Sequence, residues 1–581
     1  MSMHARPLAV WLATATDAQL AALFEARGVR EDVAWSDFFD VAEALLEPAS
    51  IERMLPRLPL AQATALHRSA RGEDAAEHTD ALVALALLQP DGTPAPTVAD
   101  AVAAREVPAG SEPADAEPAT ESAAARAAER AFTSVAAIAD LLMLSAETPL
   151  VLLTDGRLNA GEKRRIVEMG MPAEHLDDLV TIAVDTGLAT VDDRRLRMTP
   201  AGDAWLRRSA SDRWTALAES FRDVLPTGLR TPAGGWLPAP HWGPQYPWDS
   251  SWNDRCAALR TRARLLGLIA DDGAEPEWAV PLRSGRPADA SGVARMLPTE
   301  VDRIFLQNDL SAIAPGPLQP PLDVRLRSIA VRESAAQASS YRFSAESVAH
   351  ALTGGETAQS ILDFLGEISL TGIPQPLEYL VMQSAQRHGL VRVFAEPATG
   401  RTKVTSADAT LLDAMAVDQS LRPLALSRDA DGLSSRVGRD SVYWTLTDAR
   451  YPAMIVGPEG EPQVIDRHPV PPAQAPRPAD YTPLIQRLRD RQGPDDDAAW
   501  LDRELDAAVR AKSVLLVEIN MPDGTIRELQ LEASGLGGGR LRGRDRAADV
   551  ERTLPVRSIR SARVIDPSTG SGIGSQNSPR R

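Results

Sequence analysis

The residues with reactive side chains are scattered where chemistry would need them grouped. The histidines are His4, His67, His78, His175, His241, His350, His388 and His468. None forms the His-Glu-x-x-His helix or a close pair that a tetrahedral metal site requires. Cys256 is the single cysteine, so a thiolate metal cluster and an intrachain disulfide are both excluded. No Gly-x-Ser-x-Gly elbow presents a nucleophilic serine. A nucleotide motor needs a glycine-rich loop ending in Gly-Lys-Ser/Thr to cradle phosphates, and an acidic box for Mg²⁺. Gly161-Glu162-Lys163 has no loop glycine before it and no hydroxyl after it, and Gly537-Gly538-Gly539 runs into Arg540. His350 and His388 read as packing or helix-end residues. Asp177-Asp178 and Asp192-Asp193 read as solvated charges. The expectation is a protein without catalytic residues, metal or cofactor.

One cluster does stand out. Between Arg540 and Arg563 lie eight arginines against the acids Asp545, Asp549 and Glu551. If Arg540, Arg542, Arg544, Arg546, Arg552, Arg557 and Arg560 share a face, they form a candidate nucleic-acid contact whose binding would weaken with salt. The alternative is that alternating arginines on strands merely solvate a sheet edge.

These residues sit in a long, acidic chain. At 581 residues it should hold several cores, and its formal net charge of −18 repels phosphate backbones on average, so any nucleic-acid contact must be local. The longest apolar run, Ala81 to Leu88, is too short to cross a bilayer. Met1 to Thr16 lacks the pattern of a secretory signal, so a cytoplasmic location without membrane partners is expected.

The elements that would position the cluster can be read from periodicity. Residues 1–105 are helical, with Leu20, Leu23 and Phe24, then Phe38, Val41, Ala42 and Leu45, at helical spacing. Residues 106–130 are acidic and rich in alanine and proline, and read as a tether. Residues 131–297 hold helices, a hairpin around Asp192-Asp193, and a segment with Trp236, Trp242, Trp248 and Trp252. Helix, helix, helix and hairpin is winged-helix order, yet its third helix carries Glu174, Asp177, Asp178 and Asp185, the wrong sign for phosphates. Such a unit suits packing on neighbours or on a protein. The tryptophans offer stacking rings for a single strand, or pins for an irregular loop, and the second reading is preferred.

From Pro298 the pattern sharpens. Two short strands meet at Asn308-Asp309, Ser344 and Thr357 cap successive helices, and Ile373-Pro374-Gln375-Pro376 leads into a third helix with Leu377, Leu380 and Val381 inward. Gly389 ends that helix, and Leu390 to Phe394 leaves as a strand. Phe305-Leu306-Gln307-Asn308-Asp309-Leu310, Tyr341-Arg342-Phe343-Ser344, Pro374-Gln375-Pro376-Leu377 and Arg387-His388-Gly389, in that order, resemble the amino-terminal region of XPB-type DNA helicases. The same region occurs in bacterial helicase-associated domain proteins that lack the motor. The resemblance covers 298–421 and implies DNA, or a helicase or other transcription or repair protein, as partner.

Residues 422–468 read as a strand-rich extension including Val442 to Leu446, and 469–500 as a proline-rich linker. Residues 501–566 read as a helix feeding a small Sm-like or SH3-like barrel, with a hairpin turn at Pro522-Asp523-Gly524, and 567–581 as a disordered tail. Gly539 to Asp545 and Glu551 to Ile559 resemble the closing strands of a WYL-type domain, without the namesake Trp-Tyr-Leu. The fold class expected is multidomain α+β: a helical N-terminal part with a winged-helix-like unit, a helicase-associated α/β domain and a C-terminal barrel. The function expected is that of a non-catalytic accessory protein with nucleic acid as its partner. The alternatives are a ligand-responsive transcriptional regulator and a protein-only adaptor for a separate helicase.

Overall fold

Side-chain caps set the helix starts of the first hundred residues. Thr16 closes a capping box with Gln19, Asp37 accepts from the Asp40 amide, and Pro48 and Pro96 occupy first helical positions where no amide is missed. The helices are α1 (Arg6–Thr14), α2 (Asp17–Ala26), α3 (Phe38–Leu45), α4 (Pro48–Met54), α5 (Leu60–Ala70), α6 (Thr79–Ala84) and α7 (Pro96–Ala103). They bury the expected stripe of Leu20, Leu23, Phe24, Phe38, Val41, Ala42 and Leu45. This computed structural model describes residues 5–73, 76–109, 115–168, 174–335, 338–397, 399–457, 459–465, 467, 478–493, 496–521 and 525–564.

The tether expected over 106–130 ends early. Thr120 caps the 27-residue helix α8 (Glu121–Glu147), and Ala123, Ala124, Ala127, Ala128 and Ala131 are buried along it. Alanine offers little apolar area, but it is the best helix former and lets a backbone come close. Gly267 exploits this: at φ +64° it lies so near that a Cβ would stand 2.6 Å from the Ala127 carbonyl.

α8 leads into β1 (Leu150–Val151), α9 (Ala160–Glu168), α10 (Leu176–Asp185) and the hairpin β2 (Ala189–Asp192) and β3 (Arg195–Met198). These strands form a sheet in the order β1-β3-β2. α11 (Pro200–Leu206), α12 (Ala210–Asp223), α13 (Trp252–Leu265), α14 (Ala279–Arg283) and α15 (Ala290–Met296) complete a second core. Trp236, Trp242 and Trp252 lie inside it, and Trp248 joins the first core. The indoles of Trp242, Trp248 and Trp252 donate to the carbonyls of Leu237, Glu106 and Trp242. Their rings therefore pin a loop and are closed to stacking.

The third core holds β4 (Phe305–Leu306), β5 (Ser311–Ala314), α16 (Pro320–Ile329), β6 (Val331–Ala335), β7 (Ser339–Arg342), α17 (Ala345–Thr353), α18 (Ala358–Ile368) and α19 (Gln375–Arg387). Its strands run β4-β5-β7-β6. Capping boxes at Ser344 and Thr357 start α17 and α18. On α16 and β6, Arg327 and Arg332 both donate to Asp140 of α8, which ties the second and third cores together.

The chain continues through β8 (Val391–Ala395), β9 (Thr402–Ser406), α20 (Ala409–Val417), β10 (Ser427–Arg428), β11 (Leu433–Ser435), α21 (Arg439–Asp448), β12 (Ala453–Val456) and β13 (Pro462–Gln463). The sheet order is β10-β11-β9-β8-β12-β13, with β8 parallel to β12. The strand expected at Val442 to Leu446 is instead α21. Val442, Tyr443 and Leu446 are buried together on one helical face, so packing overrides their β-forming side chains.

The linker expected over 469–500 is also partly helical; residues 468–477 lie outside the described residues. α22 (Thr482–Asp490) lays Leu484, Ile485 and Leu488 into the first core, beside Tyr481. α23 (Asp496–Ala511) follows, and its Arg503 pairs with Asp37, Asp40 and Glu43 while stacking 4.2 Å from the Phe39 ring centroid. Beyond it, β14 (Val514–Asn520), β15 (Ile526–Gly537), β16 (Arg540–Asp545), β17 (Val550–Pro555) and β18 (Ile559–Val564) form an antiparallel sheet in the order β17-β16-β15-β14-β18, with a single 3₁₀ turn before β18. The expected turn at 522–524 and the tail lie outside the described residues.

Candidate nucleic-acid interface

The period of two along β16 sends Leu541, Gly543 and Asp545 inward and Arg540, Arg542 and Arg544 outward. Register then decides what each arginine meets. Arg544 stands between Glu532 and Glu551 and pairs with Asp549 at 2.7 Å. Arg542 stands between Gly535 and Thr553, and Arg540 between Gly537 and Pro555. Among the described residues neither Arg540 nor Arg542 has an ion pair. A Cβ at Gly535 or Gly537 would meet nothing, so bare backbone lies beside the two free guanidinium groups.

The other candidate arginines do not join them on that face. Arg552 turns inward, donating at 2.6 Å to Asp545, a carboxylate only 2% exposed. Arg552, with the amides of Ala548 and Ala547, holds the Asp545 carboxyl below the usual range. Arg546 lies in the turn leaving β16, and Arg560 lies in β18 on the far side of β14. Arg557 sits at the Arg540 end, next to the Val556 amide that donates to the Gly539 carbonyl. Of the seven arginines, Arg540, Arg542 and Arg544 share the outer face of β16, with Arg544 paired to Asp549 and Arg557 nearby and exposed, while Arg552 is turned inward. Which arginines diverge was set by strand register, a long-range feature absent from local spacing.

The acidic third helix of the first helix trio is already engaged. α10 packs against α8, α12 and α13. Its Asp177 takes Lys163 at 2.6 Å and the Leu158 amide, and Asp185 takes Arg262 of α13. Burial raises the Asp185 carboxyl, with Arg262 opposing the shift.

A second helix trio followed by a hairpin runs α17-α18-α19-β8-β9. In α19, Leu377, Val381 and Ser384 face inward. The opposite stripe, Gln375, Tyr379, Met382, Gln383 and Gln386, is exposed, with Tyr379 at 66% and Met382 at 43%. Helical periodicity marks the inward stripe and leaves this one unmarked. Its signal was an aromatic and a methionine at positions that a surface helix normally fills with charge. Arg387 ends α19 and Arg392 is exposed on β8.

A cavity of about 380 Å³ opens between Glu106, Pro108, Tyr246, Asp249 and Trp252. Asp249 there is held by Arg255 and Ser251, and Trp252 by its bond to Trp242. Among the described residues no helix is long and apolar enough to cross a membrane, and no group of three or more metal-ligating side chains occurs.

No curated protein matches the chain. The matched family's description names helicases without a subfamily, so the coarser reading, helicase association, carries forward. Residues 304–430, which hold the third core, α19 and the first strands of the next sheet, match the helicase conserved C-terminal domain, and so a helicase-associated domain lies within this chain.

Proposed function

We propose that the protein is a non-catalytic accessory factor that docks on nucleic acid, in the company of repair or transcription machinery. The observation that carries this reading is the helicase-type match over 304–430. The absence of a Gly-Lys-Ser/Thr loop in the whole sequence supports docking without ATP hydrolysis. The terminal strand order, with a single turn before the last strand, supports an Sm-like or SH3-like barrel. The chain order α8-β1-α9-α10-β2-β3, with its strands paired β1-β3-β2, supports a winged-helix-like unit at the front of the second core.

Arg540 and Arg542 of the barrel are the residues proposed to meet phosphates. Their lack of partners leaves both charges available, and the bare backbone at Gly535 and Gly537 lets a phosphodiester chain approach closely. The test is binding of the full chain to single- and double-stranded DNA at about 50 and 200 mM salt. R540E/R542E should weaken binding at least about tenfold and flatten the salt dependence by about two units of log K per log salt. Equal binding by the variant removes the barrel from the mechanism, and no binding by the parent at low salt removes the reading itself. The regulator alternative finds less support, because Asp177, Asp178 and Asp185 on α10 would face phosphates with the wrong sign. The adaptor alternative predicts recovery of a helicase without nucleic acid.

A further inference from the structure

We propose that α19 is a reading helix for duplex DNA, lying in the major groove with Gln383 and Gln386 toward base edges and Arg387, Arg392 and Arg401 toward phosphates. This rests on the nucleic-acid reading above and assigns it a second, sequence-selective surface. Four observations lead there.

The first is position. α19 is braced from behind by α17 and α18 and followed at once by the β8-β9 hairpin, so its outer face is presented by a rigid support. Its 13 residues span about 20 Å, enough to follow a stretch of B-form major groove. The second is the chemistry of the outer stripe. Gln375, Gln383 and Gln386 supply paired donors and acceptors at i, i+8 and i+11, the combination that matches the adenine edge. Tyr379 and Met382 between them offer apolar contact of the kind a thymine methyl accepts. No charge interrupts this stripe, and Glu378 is the one acid on the helix.

The third is the segregation of charge. From Tyr379 to Ser406 the chain has Arg387, Arg392, Arg401 and Lys403 against Glu396 alone. Lys403 is consumed by Asp429 at 2.5 Å, whereas Arg387, Arg392 and Arg401 have no ion pair among the described residues. Apart from Glu378 in the first turn of α19, the acids of the trio stand on the supporting helices and the turn between them: Glu346, Glu356, Asp363 and Glu367. Glu356 is held there by Arg325 at 2.9 Å. Three arginines without ion pairs among the described residues, on and just after a helix with a neutral polar stripe in a chain of charge −18, suit contact with a polyanion. A protein partner would fit the stripe but would give the three free arginines no common role.

The fourth is the contrast with α10, which holds the equivalent third place in the earlier trio, packs against α8, α12 and α13, and has Asp177 and Asp185 paired with Lys163 and Arg262. Of the two trios, the second leaves its last helix open. Duplex RNA is disfavoured because the deep, narrow A-form major groove does not admit side chains.

The experiment is selection from a pool of short random DNA duplexes by the full-length protein, followed by titration of selected and unselected duplexes, with duplex RNA as competitor. The parent should enrich a sequence preference containing adenine and bind the selected duplex about tenfold or more tighter than the pool. Q383A/Q386A should bind the pool as the parent does and lose that tenfold preference. R387A/R392A should weaken both and lower the salt slope by about two. Circular dichroism would verify that these exposed substitutions leave the fold intact. Binding with no sequence preference, or a preference that survives Q383A/Q386A, overturns the assignment. Binding abolished by R540E/R542E but untouched by every α19 variant overturns it while leaving the broader reading in place. No binding by the parent overturns both.

Discussion

Asp140 should be a structural joint between the second core and the helicase-associated domain. Its carboxylate, on α8, receives Arg327 from α16 at 2.6 Å and Arg332 from β6. Asp140→Ala would strand two guanidinium groups that are partly shielded from water. Removing one partner of a buried ion pair costs about 3–5 kcal/mol. Here the three side chains retain 14–20% of their surface and Arg327 keeps Asp323 at 3.6 Å, so about 2–3 kcal/mol is expected. Urea unfolding followed by tryptophan fluorescence is the assay, because Trp205, Trp214, Trp236, Trp242, Trp252 and Trp278 are all buried in the second core. The main transition should move down by about 1 M urea, given a slope of about 2–3 kcal/mol/M. Asp140→Ala combined with Arg332→Ala should cost less than the sum of the two single changes by at least about 1 kcal/mol. A midpoint unmoved by Asp140→Ala, or strictly additive costs, would refute the joint.

Two further outcomes test packing and titration. Gly267→Ala should destabilise by about 2–3 kcal/mol, since a left-handed backbone and a Cβ pressed 2.6 Å from the Ala127 carbonyl act together, and thermal unfolding by circular dichroism would register it. The Asp545 carboxyl has its folded pKa depressed by Arg552, so its contribution is in place above the unfolded value of about 4 and fades as pH falls through the lower folded value. Hydrogen exchange of peptides spanning 526–564, corrected for intrinsic rate, should therefore show the C-terminal sheet loosening below about pH 4, less so in Asp545→Asn. An identical acid response in the variant would show that the pair does not govern this loss.

Much of the packing was legible because burial follows local period. Leu20, Leu23 and Phe24, Ile361, Phe364, Leu365 and Ile368, and Leu377 with Val381 are all inward, and Ser344 and Thr357 cap where a hydroxyl precedes an apolar stripe. Failures came where a distant segment decided the outcome. The alanines of α8 have nothing to bury until Gly267 and its neighbours lie against them. The residues Val442 to Leu446 look like a strand by composition, and only the covered sheet explains why they coil. α22 looks like part of a linker because its partners, Phe24 and Val29, stand more than 400 positions earlier. The candidate arginines were found as a set but not as a surface, since the pairing of Arg552 with Asp545 depends on the β16-β17 register.

The acidity of the chain and its proposed docking on a polyanion are reconciled by where the carboxylates are used. Asp140, Asp177, Asp185, Glu275, Glu356, Asp545 and the Asp37-Asp40-Glu43 group each hold a cation within the fold. In most of these pairs two opposite charges cancel at short range, so they contribute little field beyond the Debye length of about 8 Å at physiological salt. At contact distance a phosphate meets the nearest uncompensated groups, and the arginines proposed for that role are Arg540 with Arg542, and Arg387 with Arg392 and Arg401. The net −18 then acts mainly at long range, as a repulsion that slows encounter without cancelling the local attraction. It also disfavours unspecific coating of nucleic acid. An average repulsion combined with a few locally uncompensated arginines is what selective docking requires, and what a motor that must track any sequence would avoid.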